Sequence, residues 1–383
     1  MPRRDFGVQY AAAAFVAFLF AASGPVAIIL SIGARGGLTE SDIASWIFAA
    51  FVLNSAISAG FSLYYRQPLV FLWSIPGSVL VGPALGHLSL PEVIGAFLAT
   101  GVLMALLGAS GLVRRAMDAV PMPIVMAMVA GVFLRFGLGL VFAFRDALWI
   151  ALPMTLAYLF FRRIPPLIAA LITGAVAVWL LGAFKPPAGA LFGFAAPNLY
   201  RPEFSWAAMV ELVLPLAITV LAVQNAQGIA ILASAGHKAP TNAITVACGV
   251  GAIVTGLFGA VSTCLTGPVN AVLSTAGEKA EQYKGALWFC VLCVLFGLLA
   301  PFFTRVLLAT PPAFIAALAG LAMLKVLQTA FTAAFGGRFT FGALVCFLVT
   351  VADVPIFHIG APFWGLVFGL ASAWLLERSD YIK

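Results

Sequence analysis

The sequence predicts an all-α membrane protein of 14 transmembrane segments in two inverted repeats of seven. The third and tenth segments are each expected to be broken into a short extended piece plus a half-helix. Three observations carry this prediction. The first is composition: of 383 residues, 63% are hydrophobic and only 9% charged, whereas a soluble domain carries about 25% charged residues. No polar run is longer than a loop, so a water-soluble fold and a separate soluble domain are both excluded. The second is a pair of polar proline–glycine breaks, Trp73-Ser74-Ile75-Pro76-Gly77-Ser78 and Thr263-Cys264-Leu265-Thr266-Gly267-Pro268-Val269-Asn270. They lie about 190 residues apart, close to half the chain length. In lipid an unpaired backbone amide costs several kcal/mol, so a broken helix survives only where protein or a polar cavity satisfies it. A matched pair of such breaks points to the substrate site of an inverted-repeat transporter.

The third observation is charge placement. With the N-terminus inside, 14 Lys and Arg fall on the cytoplasmic side, among them Arg3, Arg4, Arg114, Arg162, Arg163, Arg338 and Lys383. Only Arg35, Arg145, Lys185, Arg201 and Arg305 fall outside. That bias orients the chain with both termini cytoplasmic, and an odd number of spans would scramble it. The net charge of +7 is therefore read as a topology signal, and no nucleic-acid partner is expected. Because each repeat holds seven spans, the second lies inverted relative to the first.

The first span covers 10–32. Although Arg3, Arg4 and Ala21-Ala22-Ser23 imitate a secretory signal, the apolar run is about 22 residues long, enough to cross the bilayer and be retained. Thr39-Glu40-Ser41-Asp42 forms a capping-box pattern before the second span, 43–64. The third, 69–85, contains the first break, and Pro91-Glu92 opens the fourth, 92–112, with a proline and an acid suited to a helix start. Spans at 118–142, 146–161 and 164–183 complete the first set, and a Pro/Gly-rich link follows. The second set is 207–232, 240–261, 262–276 (with the second break), 284–303, 307–333, 339–353 and 355–376.

A half-helix after an extended piece leaves free amides and a partial positive charge at its N-terminus. Two such ends facing each other near the midplane attract an anion without a buried cation. Ser74, Ile75, Pro76 and Gly77 form the first end, and Thr266, Gly267, Pro268 and Asn270 the second. Gln224, Asn225 and Gln227 place three amides at membrane depth in the eighth span, where they need partners or a cavity. Gly24 and Pro25 occupy the corresponding region of the first span. These thirteen residues are the candidate substrate-binding set. Asn225→Ala is expected to weaken binding and leave folding largely intact, and parent-like binding by both Asn225→Ala and Gln227→Ala would reassign the eighth span to packing. Arg135 and Lys325, again about 190 apart, sit toward opposite ends of their spans, where snorkelling accounts for them.

No Asp or Glu is central in the first, third, eighth or tenth span. Glu211 and Asp353 lie near span ends, His87 and His237 lie in loops, and His358 lies near the outer end of the last span. A proton-coupled transporter usually shows a midplane carboxylate or histidine, so the proton carrier stays unassigned. Cys290 and Cys293 form a CxxC without a nearby His or acid and are read as small packing residues. No catalytic constellation, metal site or cofactor site is expected.

Several stretches together resemble the benzoate:proton symporter (BenE) family. They are Gly37-Leu38-Thr39 with Asp42, Ser45-Trp46 and Phe48, then Tyr65-Arg66-Gln67-Pro68 and Trp73-Ser74-Ile75-Pro76-Gly77. In the second half they are Asn225-Ala226-Gln227-Gly228-Ile229-Ala230 with Gly236, and Thr266-Gly267-Pro268. The resemblance implies bacterial inner-membrane uptake of benzoate with protons. It also implies a uracil-permease-like fold, in which spans 1–4 and 8–11 form a substrate-carrying core and spans 5–7 and 12–14 a gate, often as a homodimer. On that template, residues 1–112 and 207–303 are core, 113–183 and 304–383 are gate, and 184–206 is the linker. Uracil permeases carry acids on the eighth and tenth spans, where this chain has Gln224 or Asn225 and Gly267-Pro268. The departure suits an anionic substrate and leaves proton coupling without a residue. The partners expected are thus a small aromatic carboxylate, protons and the lipid bilayer. The rival readings are a same-fold transporter of a nucleobase or other small anion, a passive anion channel, and an intramembrane enzyme. The channel lacks a continuous polar lining and the enzyme a nucleophile–base pair.

Overall fold

The computed structural model describes residues 7–113, 115, 121–161, 165–186, 190–357 and 359–381. Arg3, Arg4, Arg114, Arg162, Arg163, His358 and Lys383 lie outside the described residues. Among the described residues, seven helices are long and apolar enough to cross a bilayer. They are α1 (Val8–Arg35), α2 (Glu40–Tyr65), α4 (Leu90–Ser110), α5 (Met122–Asp146), α8 (Trp206–Ser234), α11 (Lys279–Leu298) and α13 (Pro312–Phe335). Shorter apolar helices fill the gaps between them: α3 (Ile75–Ala84), α6 (Leu148–Phe160), α7 (Pro166–Leu180), α9 (Thr241–Gly256), α14 (Thr340–Ala352) and α15 (Ala361–Leu376). Two others, α10 (Gly267–Leu273) and α12 (Ala300–Leu308), complete the order.

The expected capping box at the start of α2 is present. The Thr39 side chain accepts from the Asp42 amide, and the Asp42 carboxylate accepts from the Thr39 amide. Ser89 and Glu92 form the same reciprocal pair at the start of α4, so two orphan donors are satisfied at each end.

Regular helix is interrupted at several places, twice next to a proline. α1 breaks at Ser23, where φ and ψ leave the helical region. Pro25 has no N–H to continue the ladder, and its ring crowds the preceding turn. π-type turns interrupt α2 at Ala49–Leu53 and α8 at Met209–Val213 and Thr219–Asn225. The apolar stretch expected at 284–303 ends its helix at Leu298. Pro301 then starts α12, which Arg305 fastens by bonds to Glu40 (2.6 Å) and to the Ala190 carbonyl (2.7 Å).

Two short strands sit where the two breaks fall. β1 (Phe71–Trp73) pairs antiparallel with β2 (Thr263–Leu265), with Leu72 opposite Cys264 at the centre. The Ser74 amide donates to the Ser262 carbonyl and the Thr266 amide to the Val70 carbonyl, extending the ladder at both ends. Both strands are fully buried. Their mutual pairing answers how extended backbone survives in an apolar interior.

The segment before α8 packs against α2 and α4. Tyr200 donates to Asp42 at 2.5 Å, and the Asn198 amide donates to Ser45. Burial, reinforced by the Asp42 bond, pushes the Tyr200 phenol far above its ordinary range. The Glu203 amide donates to the Pro91 carbonyl. The Glu203 carbonyl itself lies against the Cα of Gly95, where a Cβ would have no room.

Candidate functional site

Each strand runs directly into a helix start. At α3, Ser74 is the cap: its Oγ accepts the Gly77 amide at 3.0 Å, and Pro76 occupies the first turn. At α10, Thr266 holds the equivalent place with Pro268 behind it, and its hydroxyl makes no capping bond to the helix. A third helix start, Ser23-Gly24-Pro25, opens the second half of α1.

These three starts face one cavity of about 540 Å³. Pro25, Ile75, Pro76, Thr266 and Pro268 line it, together with Gln224 and Gln227 from the last π-type turn of α8 and the residues after it. The opposite wall comes from two long helices. α5 contributes Met122, Met126, Val129 and Phe133; α13 contributes Ala322, Met323, Lys325, Val326, Thr329 and Ala333. Phe20 and Trp73 add aromatic faces. The volume and largely apolar lining suit a small organic ligand, and the few polar groups would fix its orientation. Among the described lining residues none is a carboxylate or histidine, and Lys325 is the one charged side chain.

The other candidate residues sit around the cavity without lining it. Asn225 is 1% exposed. Its Oδ1 accepts the Leu265 amide at 2.8 Å and its side chain meets Cys248. Asn270 is fully buried, and its Oδ1 accepts the Val70 amide at 3.0 Å. These two amides hold β2 and β1 respectively. Gly77 packs on Leu216 and Ser74. Gly267 lies under the Gln227 side chain, whose oxygen is 2.8 Å from the point a Cβ would occupy. Gly24 packs against Ala322 so closely that a Cβ would collide with the alanine methyl.

Sequence reasoning missed the α5 and α13 wall. Its trace in the sequence is the recurrence of Ala322, Val326, Thr329 and Ala333 at intervals of three to four residues, one face of a helix. Arg135, expected to reach for the interface, pairs with Asp353 at 2.6 Å. His87 and Glu211 form a second pair at 2.8 Å, with Glu211 buried against the Cα of Gly360.

Comparison with known proteins agrees with this architecture. The family model for the benzoate membrane transport protein (BenE) matches residues 5–375. The chain belongs to the BenE family. BenE is a family of membrane transporters, not of enzymes. The Escherichia coli inner membrane protein YdcO is 32% identical over 93% of each chain. A benzoate membrane transport protein of Acinetobacter baylyi is 28% identical over 98% of this chain and 97% of its own.

Among solved structures, the transmembrane domain of the cyanobacterial bicarbonate transporter BicA superposes with a TM-score of 0.62 at 14% identity, covering 96% of this chain and 98% of that one. The murine Solute Carrier 26 family member A9 anion transporter, in its inward-facing state, gives 0.65 at 15% identity, over 99% of this chain and 69% of the other. This BenE-family chain therefore shares the transmembrane fold of these anion transporters. Its family and its YdcO relative support a multi-pass protein of the bacterial inner membrane.

Proposed function

We propose that this BenE-family chain imports an aromatic carboxylate, benzoate first, together with protons by alternating access. The observation that carries the reading is the composition of the cavity wall. Aromatic and thioether side chains suit a ring, and Gln224, Gln227, Thr266 and Lys325 suit an anionic head, with no carboxylate among the described lining. An acid there would repel the substrate. The likeness to the Acinetobacter benzoate membrane transport protein supports benzoate.

The architecture proposed is 14 segments in two inverted repeats, with the β1–α3 and β2–α10 units as interrupted spans. A two-fold axis through the Leu72–Cys264 pair exchanges the two strands, and this register supports the inverted relation. The core is 1–112 with 207–303, the gate 113–183 with 304–383, and the linker 184–206; both termini are cytoplasmic and the assembly a homodimer. The binding set proposed includes Gly24, Pro25, 74–77, Gln224, Asn225, Gln227, 266–268 and Asn270, with Asn225 and Asn270 acting through the strands they hold. On this topology the beginning of α5 and the end of α13 are cytoplasmic, so the cavity opens inward.

The fold shared with bicarbonate and anion transporters favours a second reading, a small inorganic anion as substrate. Thermal-shift and calorimetric titration of the purified protein with benzoate, benzamide, uracil, bicarbonate and nitrate separates the two. Saturable binding of benzoate above all the others is the expected result. Preference for uracil or an inorganic anion would replace the aromatic reading.

A further inference from the structure

Lys325 stands on α13 in the wall of the cavity, and its Nζ bonds to Gln328 Oε1 at 2.9 Å on the next turn. Among the described residues no carboxylate lies within ion-pair distance of it, unlike Arg135, which Asp353 neutralises. Thr329, also in the wall, gives its hydroxyl hydrogen to the Lys325 carbonyl, leaving the ammonium as the strong donor on that face. Met122, Met126 and Phe133 from α5 line the same cavity, as do Gln224, Gln227 and Thr266. Lys325 is an exposed residue of a cavity whose lining is mostly apolar, so its ammonium is accessible to an anion that enters there.

We propose that Lys325 is a specificity-determining residue: its ammonium pairs with the substrate's carboxylate, while the apolar wall takes the ring. The assignment rests on the transport reading above. It adds that charge selection comes from the gate side of the cavity, since Lys325 is on α13 and the amides and helix starts are on the opposing elements. A substrate held between Lys325 and Gln224, Gln227 or Thr266 links the two sides, so occupancy bears on their relative movement as well as on recognition. Snorkelling and selectivity by helix dipoles alone, the expectation from sequence, leave binding unchanged when this charge is removed.

The test is binding to the full-length protein in detergent or nanodiscs, with benzoate and its neutral isostere benzamide as probes. Lys325→Met and Lys325→Gln remove the charge, and Lys325→Arg keeps a cation. Two neutral variants are used so that failure of one to fold does not remove the comparison. Both neutral variants are expected to lose roughly 10- to 100-fold in benzoate affinity, the range of a charge-assisted hydrogen bond. Benzamide affinity should be unchanged, and Lys325→Arg should retain most of the parent's preference. Neutral variants that keep both benzoate affinity and preference over benzamide would overturn the assignment. A parent that binds nitrate or bicarbonate instead of benzoate refutes only the aromatic reading, and the same comparison is then made with that anion. A parent that binds no anion overturns both.

Discussion

The side-chain oxygen of Asn225 accepts the backbone N–H of Leu265 across 40 residues of sequence, at 2.8 Å, and both are buried. Leu265 ends the strand that leads into Thr266 and α10. An amide that looks from sequence like a ligand group is therefore a prop for the backbone that shapes the cavity. Asn270 does the same for Val70, the residue that leads into the other strand.

Asn225→Ala leaves the Leu265 amide buried without this partner, which costs about 1–3 kcal/mol. Gln227, by contrast, reaches the cavity itself. The expected outcome is a clear drop in Tm for Asn225→Ala and a much smaller one for Gln227→Ala. Benzoate affinity per folded molecule should fall more for Gln227→Ala. Thermal melts paired with ligand titration check both. Equal Tm values for Asn225→Ala and the parent would return Asn225 to a direct binding role.

The contrast marks how far the sequence can be read. The positions of the breaks are legible because Pro76 and Pro268 cannot continue a helix from the residues before them and Gly77 and Gly267 weaken one, and local chemistry decides that. The capping box at Thr39 is legible for the same reason. The partner of Asn225 is not, because a side-chain bond to a residue 40 positions away exists only once β1 and β2 have paired. The direction Lys325 faces is equally hidden: α13 turns one face to the cavity, and packing against α5 chooses which. The stop at Leu298 before Pro301 escapes notice because apolar composition runs straight through it, although the proline is visible.

Gly24 and Ala322 form a close approach between α1 and α13, with no room for a second Cβ. Gly24→Ala is expected to push the two helices apart and to slow transport or lower stability, overpacking typically costing about 1–3 kcal/mol. Ala322→Gly in the same chain should restore part of the loss. A double-mutant cycle on Tm and uptake rate measures the coupling. Additive effects would show that the two sites do not meet in the working protein.

His87 and Glu211 close on each other at 2.8 Å with Gly360 packed against the carboxylate. A Cβ at residue 360 falls on Glu211, so Gly360→Ala should displace the carboxylate and break the pair. The same loss of stability should follow from Glu211→Ala, and the double variant should lose less than the sum. Melting curves of the three variants check this. Fully additive losses would separate Gly360 from the ion pair.

The last prediction concerns charge at the start of α10. Gly267 lies beneath Gln227, so any side chain there moves that amide before its own charge matters. Gly267→Gln therefore measures bulk, and Gly267→Glu, of nearly equal size, measures bulk plus a negative charge next to the cavity that takes the proposed carboxylate. Like charges in a partly desolvated site repel by more than they do in water. The Glu variant should therefore bind benzoate at least about tenfold more weakly than the Gln variant, a difference of about 1.4 kcal/mol. Benzamide, which carries no charge, should bind the two variants alike. Isothermal titration of both ligands against both variants reads the difference directly. If benzoate also failed to distinguish Glu from Gln, the carboxylate held by Lys325 would lie out of range of a charge at the start of α10.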